Sequence, residues 1–114
     1  MSLERIVKIL DNFGFSKDDA EVYIYLAKKG PRREIDLSKA LKLSEKKLNL
    51  ILKNLQNKGI VTAAVEQSEL FTALPFEIVL DQLVKFDIEQ ASTITENRVE
   101  LLGSWRSSIQ KEDR

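Results

Sequence analysis

The hydrophobic period changes at Gly59, and that change limits the folds open to this chain. Before it, Leu48, Ile51, Leu52 and Leu55 recur at helical spacing between Ser44 and Gly59. After it, Ile60-Val61-Thr62-Ala63-Ala64-Val65 is rich in β-branched residues and too short for a helix. Ser44 suits an N-cap, because its hydroxyl can accept a hydrogen bond from an open amide of the first turn. Gly59 suits the stop, because it enters the left-handed region without a Cβ clash. The spacing therefore predicts a helix over about 45–58. Its outer face carries Lys46, Lys47, Asn49, Lys53, Asn54 and Lys58. Side chains of these types contact phosphates and base edges. The competing reading is a core helix with a solvated lysine face.

The segments on either side fit one arrangement. Leu3, Ile6, Val7, Leu10 and Phe13 predict a first helix over 3–13, stopped by Gly14. Ser16 opens a second helix through Lys29. Asp18 and Asp19 lie in its first turn and Lys28-Lys29 in its last, complementing the helix dipole at both ends. Gly30-Pro31 ends it. Arg32-Arg33 lead into a short third helix, Glu34 to Leu41, and Lys42-Leu43 make a tight turn before Ser44. Past Gly59, the runs Ile60–Val65 and Leu70–Leu74 predict two strands joined around Gln67-Ser68. Pro75 closes the second strand and suits the first turn of a new helix. A short helix, a turn and a second helix with a basic face are the parts of a helix-turn-helix, and the hairpin directly after it is a wing.

Formal net charge is zero, with 18 Lys/Arg against 18 Asp/Glu. The distribution matters more than the sum. From Lys28 to Lys58 there are ten Lys/Arg and three acids, Glu34, Asp36 and Glu45. DNA responds to the nearest face, within a Debye length of about 8–10 Å. The sequence has no Cys and no His, which removes disulfides, thiolate chemistry, the usual general base and the commonest transition-metal ligand. No Gly-rich phosphate loop or nucleophile–base pair is visible. Glu96 and Glu100 at i, i+4 read as a solvated helix face. The expectation is a protein that is not an enzyme and needs no metal or other cofactor. With no apolar run of about 20 residues and no signal peptide, it is expected in the cytoplasm, without a membrane partner.

From Pro75 onward the pattern stays helical for more than 30 residues, with only Gly103 as a weak point. An eleven-residue frame (Leu80, Leu83, Val84, Ile88; Ala91, Ile94, Thr95, Val99; Leu102, Trp105, Arg106, Gln110) is apolar at nine of its twelve positions. A heptad frame fits less well and puts Asp87 and Arg98 in the seam. The better frame predicts a nearly straight pairing. A helix of that length outruns a small winged-helix core, so the expected partner of its stripe is the same helix from a second subunit. The alternative is a helix folded back against the first helix of its own chain.

This order of parts resembles the DNA-binding domain of the TrmB family of archaeal transcription regulators, winged-helix proteins distantly related to the MarR type. Four segments carry the likeness. They are Phe13-Gly14-Phe15-Ser16 with Asp19-Ala20-Glu21-Val22-Tyr23, then Lys29-Gly30-Pro31, then the run from Leu52 to Val61, and Phe71-Thr72-Ala73-Leu74-Pro75. They span about residues 3 to 85. The resemblance implies sequence-specific binding of double-stranded DNA as a homodimer, and control of transcription. In larger members a further C-terminal domain senses sugars, and that property is not carried over to these residues. Two features depart from the family pattern. The wing carries Glu66 and Glu69 where basic residues are usual, and Leu50 stands mid-helix where a polar base reader is common.

The fold expected is thus mainly α with a small β-hairpin, a winged helix-turn-helix over 1–74 followed by a long C-terminal dimerisation helix over 75–114. The candidate DNA-binding residues are Arg32, Arg33, Lys46, Lys47, Asn49, Leu50, Lys53 and Lys58. Lys46, Lys47 and Asn49 lie where helix-turn-helix proteins reach base edges, and Arg32, Arg33, Lys53 and Lys58 are suited to phosphates. Leu50 is left three uses: contact with thymine methyls, packing on a neighbouring helix, or contact with protein. The candidate dimer interface is Leu80, Leu83, Val84, Ile88, Ala91, Ile94, Leu102 and Trp105. The rival function is a protein-interaction winged-helix module within a larger assembly. No residue points to a particular small-molecule effector.

Overall fold

The computed structural model describes residues 2–65, 69–86 and 88–112. The chain order is α1 (Ser2–Asn12), α2 (Lys17–Lys29), β1 (Arg32–Arg33), α3 (Glu34–Leu41), α4 (Glu45–Asn57), β2 (Val61–Val65), β3 (Glu69–Ala73), α5 (Phe76–Phe86) and α6 (Ile88–Glu112). The long C-terminal helix is present as α6. The sheet is antiparallel, in the order β1-β3-β2. Val61 faces Ala73 and Ala63 faces Phe71 in the wing hairpin. Glu66 of the expected acidic wing lies outside the described residues, and of Glu69 only its backbone pairing with Val65 is described.

Local signals account for most boundaries. Ser16 caps α2 through a reciprocal pair: its hydroxyl accepts from the Asp19 amide at 3.1 Å, and the Ser16 amide donates to the Asp19 carboxylate at 2.9 Å. This is the capping box, with Asp19 as its acid. Ser44 caps α4 by accepting from the Lys47 amide at 3.2 Å. Gly59 follows α4 with φ +77°, a conformation that costs a side-chain-bearing residue a Cβ clash. Between α3 and α4, Lys42 adopts the same left-handed region, with φ 58°. Two hydrogen bonds hold that turn: the Leu43 amide donates to the Ser38 carbonyl and the Ser38 hydroxyl donates to the Leu43 carbonyl.

One buried cluster runs from α1 to α6. It joins Ile6 and Leu10 of α1, Tyr23 and Leu26 of α2, Leu37 of α3 and the whole predicted stripe of α4. Ile60, Phe71, Leu80, Leu83, Leu101 and Trp105 also belong to it. Tyr23 is fully buried, and its hydroxyl donates to the Leu74 carbonyl at 2.6 Å. Burial pushes its phenol well above the ordinary tyrosine range.

Two sequence expectations are corrected here. Arg32-Arg33 is not only a lead-in to α3. It forms β1, pairing Arg32 with Phe71 and Arg33 with Leu70 as a third strand beside the wing. Two residues carry no readable strand period, so only the partner strand reveals it. The segment after Pro75 is not one continuous helix. In a straight helix Asp81 and Arg98 would stand about 25 Å apart at 1.5 Å per residue. Instead they form an ion pair at 3.1 Å. Phe76, at the start of α5, stacks on Trp105, near the end of α6, with ring centroids 4.7 Å apart. The two helices therefore run back along each other. The sequence Phe86-Asp87-Ile88 holds neither Pro nor Gly to announce the change, and Asp87 itself lies outside the described residues. Leu80, Leu83 and Trp105, read from the sequence as seam residues, are buried inside the chain. Their burial needs no second subunit, because α6 packs against α5 and against α1 of its own chain, where Arg5 pairs with Glu100 at 2.8 Å, as in the alternative of a helix folded back on the first helix. Val84 and Leu102 are half-buried, whereas the side chains of Ile88, Ala91 and Ile94 lie outside those described.

Candidate nucleic-acid interface

The surface that sequence reasoning singles out is built on α4. Leu48, Ile51, Leu52 and Leu55 are buried, which fixes the rotation of the helix. Lys46, Asn49, Leu50 and Lys53 then fall on the outward side and are exposed. Leu50 is 64% exposed, so packing on a neighbouring helix is not its role. Two uses remain for it, thymine methyls or protein. Glu34, Glu45, Lys46, Asn49 and Leu50 line an open hollow of about 460 Å³ where α3 and α4 begin.

The other candidates are placed differently. Lys47 turns toward α2 and pairs with Asp18 at 2.7 Å. The Asp18 carboxylate, first by its hydrogen bond and then by its charge, raises the Lys47 ammonium above its ordinary value. Lys58 lies against the turn after α1. Its Nζ donates to the Phe13 carbonyl at 3.1 Å and sits 5.1 Å from the centre of the Phe15 ring. That is a structural position, closing the end of α1. Asn54, on the same helix, donates to the buried Asp19 carboxylate at 3.0 Å. Arg32 and Arg33 stand at the sheet edge. There, with Tyr25, Asp36, Lys39 and Leu70, they border a second hollow. In the sequence, Asp18 and Asp19 stand in the first turn of α2, where they complement the helix dipole. Their second use, fastening α2 to α4, depends on side chains up to 35 residues away and leaves no local signal.

Residues 10–77, more than half of the chain, match the family described as sugar-specific transcriptional regulator TrmB. The chain belongs to the TrmB family. No curated protein matches it. Among solved structures, this TrmB-family chain is similar to a transcriptional regulator of Thermotoga maritima, Tm0710. The identity is 22% and the TM-score 0.56, over 92% of this chain and 74% of that one. It is also similar to a mutant Staphylococcus aureus MepR bound to an oligodeoxyribonucleotide, at 14% identity and TM-score 0.55, over 99% and 90% of the two chains. A MarR-like regulator of Thermotoga maritima, tm0816, is similar at 9% identity and TM-score 0.53, over 98% and 94%. At these identities the likeness establishes the fold. The chain has the winged-helix fold of transcriptional regulators, and its family is one of transcriptional regulators. Among the described residues, no cluster of acids could hold a metal ion, and no helix is long and apolar enough to cross a membrane.

Proposed function

We propose that this protein regulates transcription by binding double-stranded DNA in a sequence-specific way as a homodimer, with α4 in the major groove. The observation that carries the reading is the outward side of α4. Lys46, Asn49 and Lys53 are exposed together on a helix whose buried stripe and two caps fix its orientation. Lys46 and Asn49 stand near the N-terminal end that reaches base edges in helix-turn-helix proteins, and Lys53 is suited to phosphate. Arg32 and Arg33 at the sheet edge are suited to the flanking backbone. The oligodeoxyribonucleotide bound by the mutant MepR supports the same use of this fold. The chain then acts in the cytoplasm, on a roughly palindromic site with half-sites about one helical turn apart or a multiple of it. Occupying promoter DNA then controls transcription, by repression or by activation.

For dimerisation, α6 offers the surface. Val99 is 86% exposed on it, and Leu102 half-buried, with Val84 half-buried on α5. The test is a mobility shift with promoter fragments, for the wild type and a Lys46→Glu/Lys53→Glu variant, with sedimentation as the measure of assembly. Salt-sensitive binding that disappears in a variant still folded and dimeric is the expected outcome. Exposure of Leu50, together with Ile35 at 53%, favours a second reading, a protein-docking winged helix. Absence of binding to every duplex at low salt selects that one.

A further inference from the structure

The first turn of α2 clasps α4 with two acids that do different work. Asp19 is buried, closes the capping box with Ser16 and holds Asn54. Asp18 is not needed for the cap. It stays partly exposed and pairs with Lys47 at 2.7 Å, on a lysine whose side chain is itself more than half exposed. An exposed pair of this kind adds little to folding stability, because water and salt screen it. Its consequence lies in its position. It puts a carboxylate beside the cationic side of the recognition helix, on the residue following Lys46.

Asp18 and a DNA phosphate compete for the same ammonium. A lysine that meets a phosphate releases a condensed counterion and adds about −0.9 to the slope of log K against log salt. A lysine already neutralised by a carboxylate adds nothing until the carboxylate lets go. We propose that Asp18 restrains the affinity of this domain for DNA by holding Lys47 off the phosphates. The proposal rests on the DNA-binding reading above. Phosphate attraction is independent of sequence, so the restraint lowers affinity about equally on every duplex and leaves the base contacts of neighbouring residues in place.

The test is a salt titration of the full chain on a fluorescent duplex of arbitrary sequence, from about 50 to 200 mM, where phosphate contacts dominate. Four proteins are compared: wild type, Asp18→Asn, Lys47→Gln and the double variant, each first checked for its melting transition. If Asp18→Asn does not fold, Asp18→Ser replaces it. Asp18→Asn is expected to bind more tightly and to steepen the slope by about 0.9 per subunit, a further three- to fourfold loss per subunit across that salt range and about twelvefold for a dimer. Lys47→Gln in the presence of Asp18 is expected to leave the slope unchanged, and the double variant to match the wild type. The proposal is overturned if Asp18→Asn leaves the slope as it was. It is equally overturned if Lys47→Gln alone flattens the slope, since Lys47 would then already lie on phosphate. Steepening by Asp18→Asn that persists with Gln at position 47 assigns the effect to the bare carboxylate and also overturns it. A wild type that binds no duplex at low salt removes the DNA-binding reading itself, and this inference with it.

Discussion

Tyr23 joins the core to the end of the wing, because its hydroxyl meets the Leu74 carbonyl just after β3. Its phenol is raised by burial, so the folded state resists ionisation that the unfolded chain accepts. The stability from this group is complete below the ordinary tyrosine value of about 10 and is lost as pH rises past it. Denaturant melts between pH 8 and about 11 should show this loss. Tyr23→Phe should flatten that part of the profile, and cost about 1 kcal/mol at neutral pH for the missing hydrogen bond. Lys58 gives a second residue-level prediction. Its ammonium serves the Phe13 carbonyl, so Lys58→Met should lower stability by about 1 kcal/mol in chemical unfolding. It should leave the salt slope of DNA binding unchanged, whereas Lys53→Gln should flatten the slope by about 0.9 per subunit with no change in stability.

Among the elements, α4 is the one whose presentation depends on its flanking turns. Lys42 holds a left-handed conformation between α3 and α4 that a side chain disfavours. Lys42→Gly should therefore raise stability by about 0.5–1 kcal/mol, read as a higher denaturation midpoint at unchanged m. The Asp19–Asn54 contact fixes α4 against α2 from the other side. Asn54→Leu leaves a buried carboxylate with one partner fewer, and should cost about 1–3 kcal/mol in unfolding experiments. β1 belongs to this scale as well. Its pairing with β3 ties the turn before α3 to the wing, so the helix-turn-helix and the hairpin share one sheet.

Across the whole molecule, the fold-back of α6 on α5 decides which apolar residues are left for a second subunit. Trp105 lies between Phe76 and Tyr23, with centroids at 4.7 and 5.7 Å. Trp105→Ala should therefore destabilise each chain by about 3–5 kcal/mol, and the loss should not depend on protein concentration. Val99 is nearly fully exposed on the same helix. Val99→Lys should leave unimolecular stability within about 0.5 kcal/mol, as surface substitutions usually do. If α6 forms the dimer, it should also shift the sedimentation profile toward monomer. A coiled pairing that required Trp105 at its seam would give the opposite pattern, with a melting temperature that follows concentration.

Local chemistry made much of this protein legible without coordinates. Ser16 and Ser44 at the caps, Gly59 at the stop and the stripe from Leu48 to Leu55 are short-range signals, set by hydrogen-bonding geometry and the helical period. They place α2, α3, α4 and the wing strands within a residue or two of where they stand. The same period told which side of α4 is buried, and therefore that Lys46, Asn49 and Lys53 point outward. It could not tell what covers the apolar side of a long helix, since a stripe looks the same against a second chain or against its own. Nor could it tell that Lys47 answers to Asp18 and Lys58 to Phe13, or that two arginines make a strand. Those are pairings across the chain, and only the tertiary structure, by bringing distant segments within hydrogen-bonding distance, decided them.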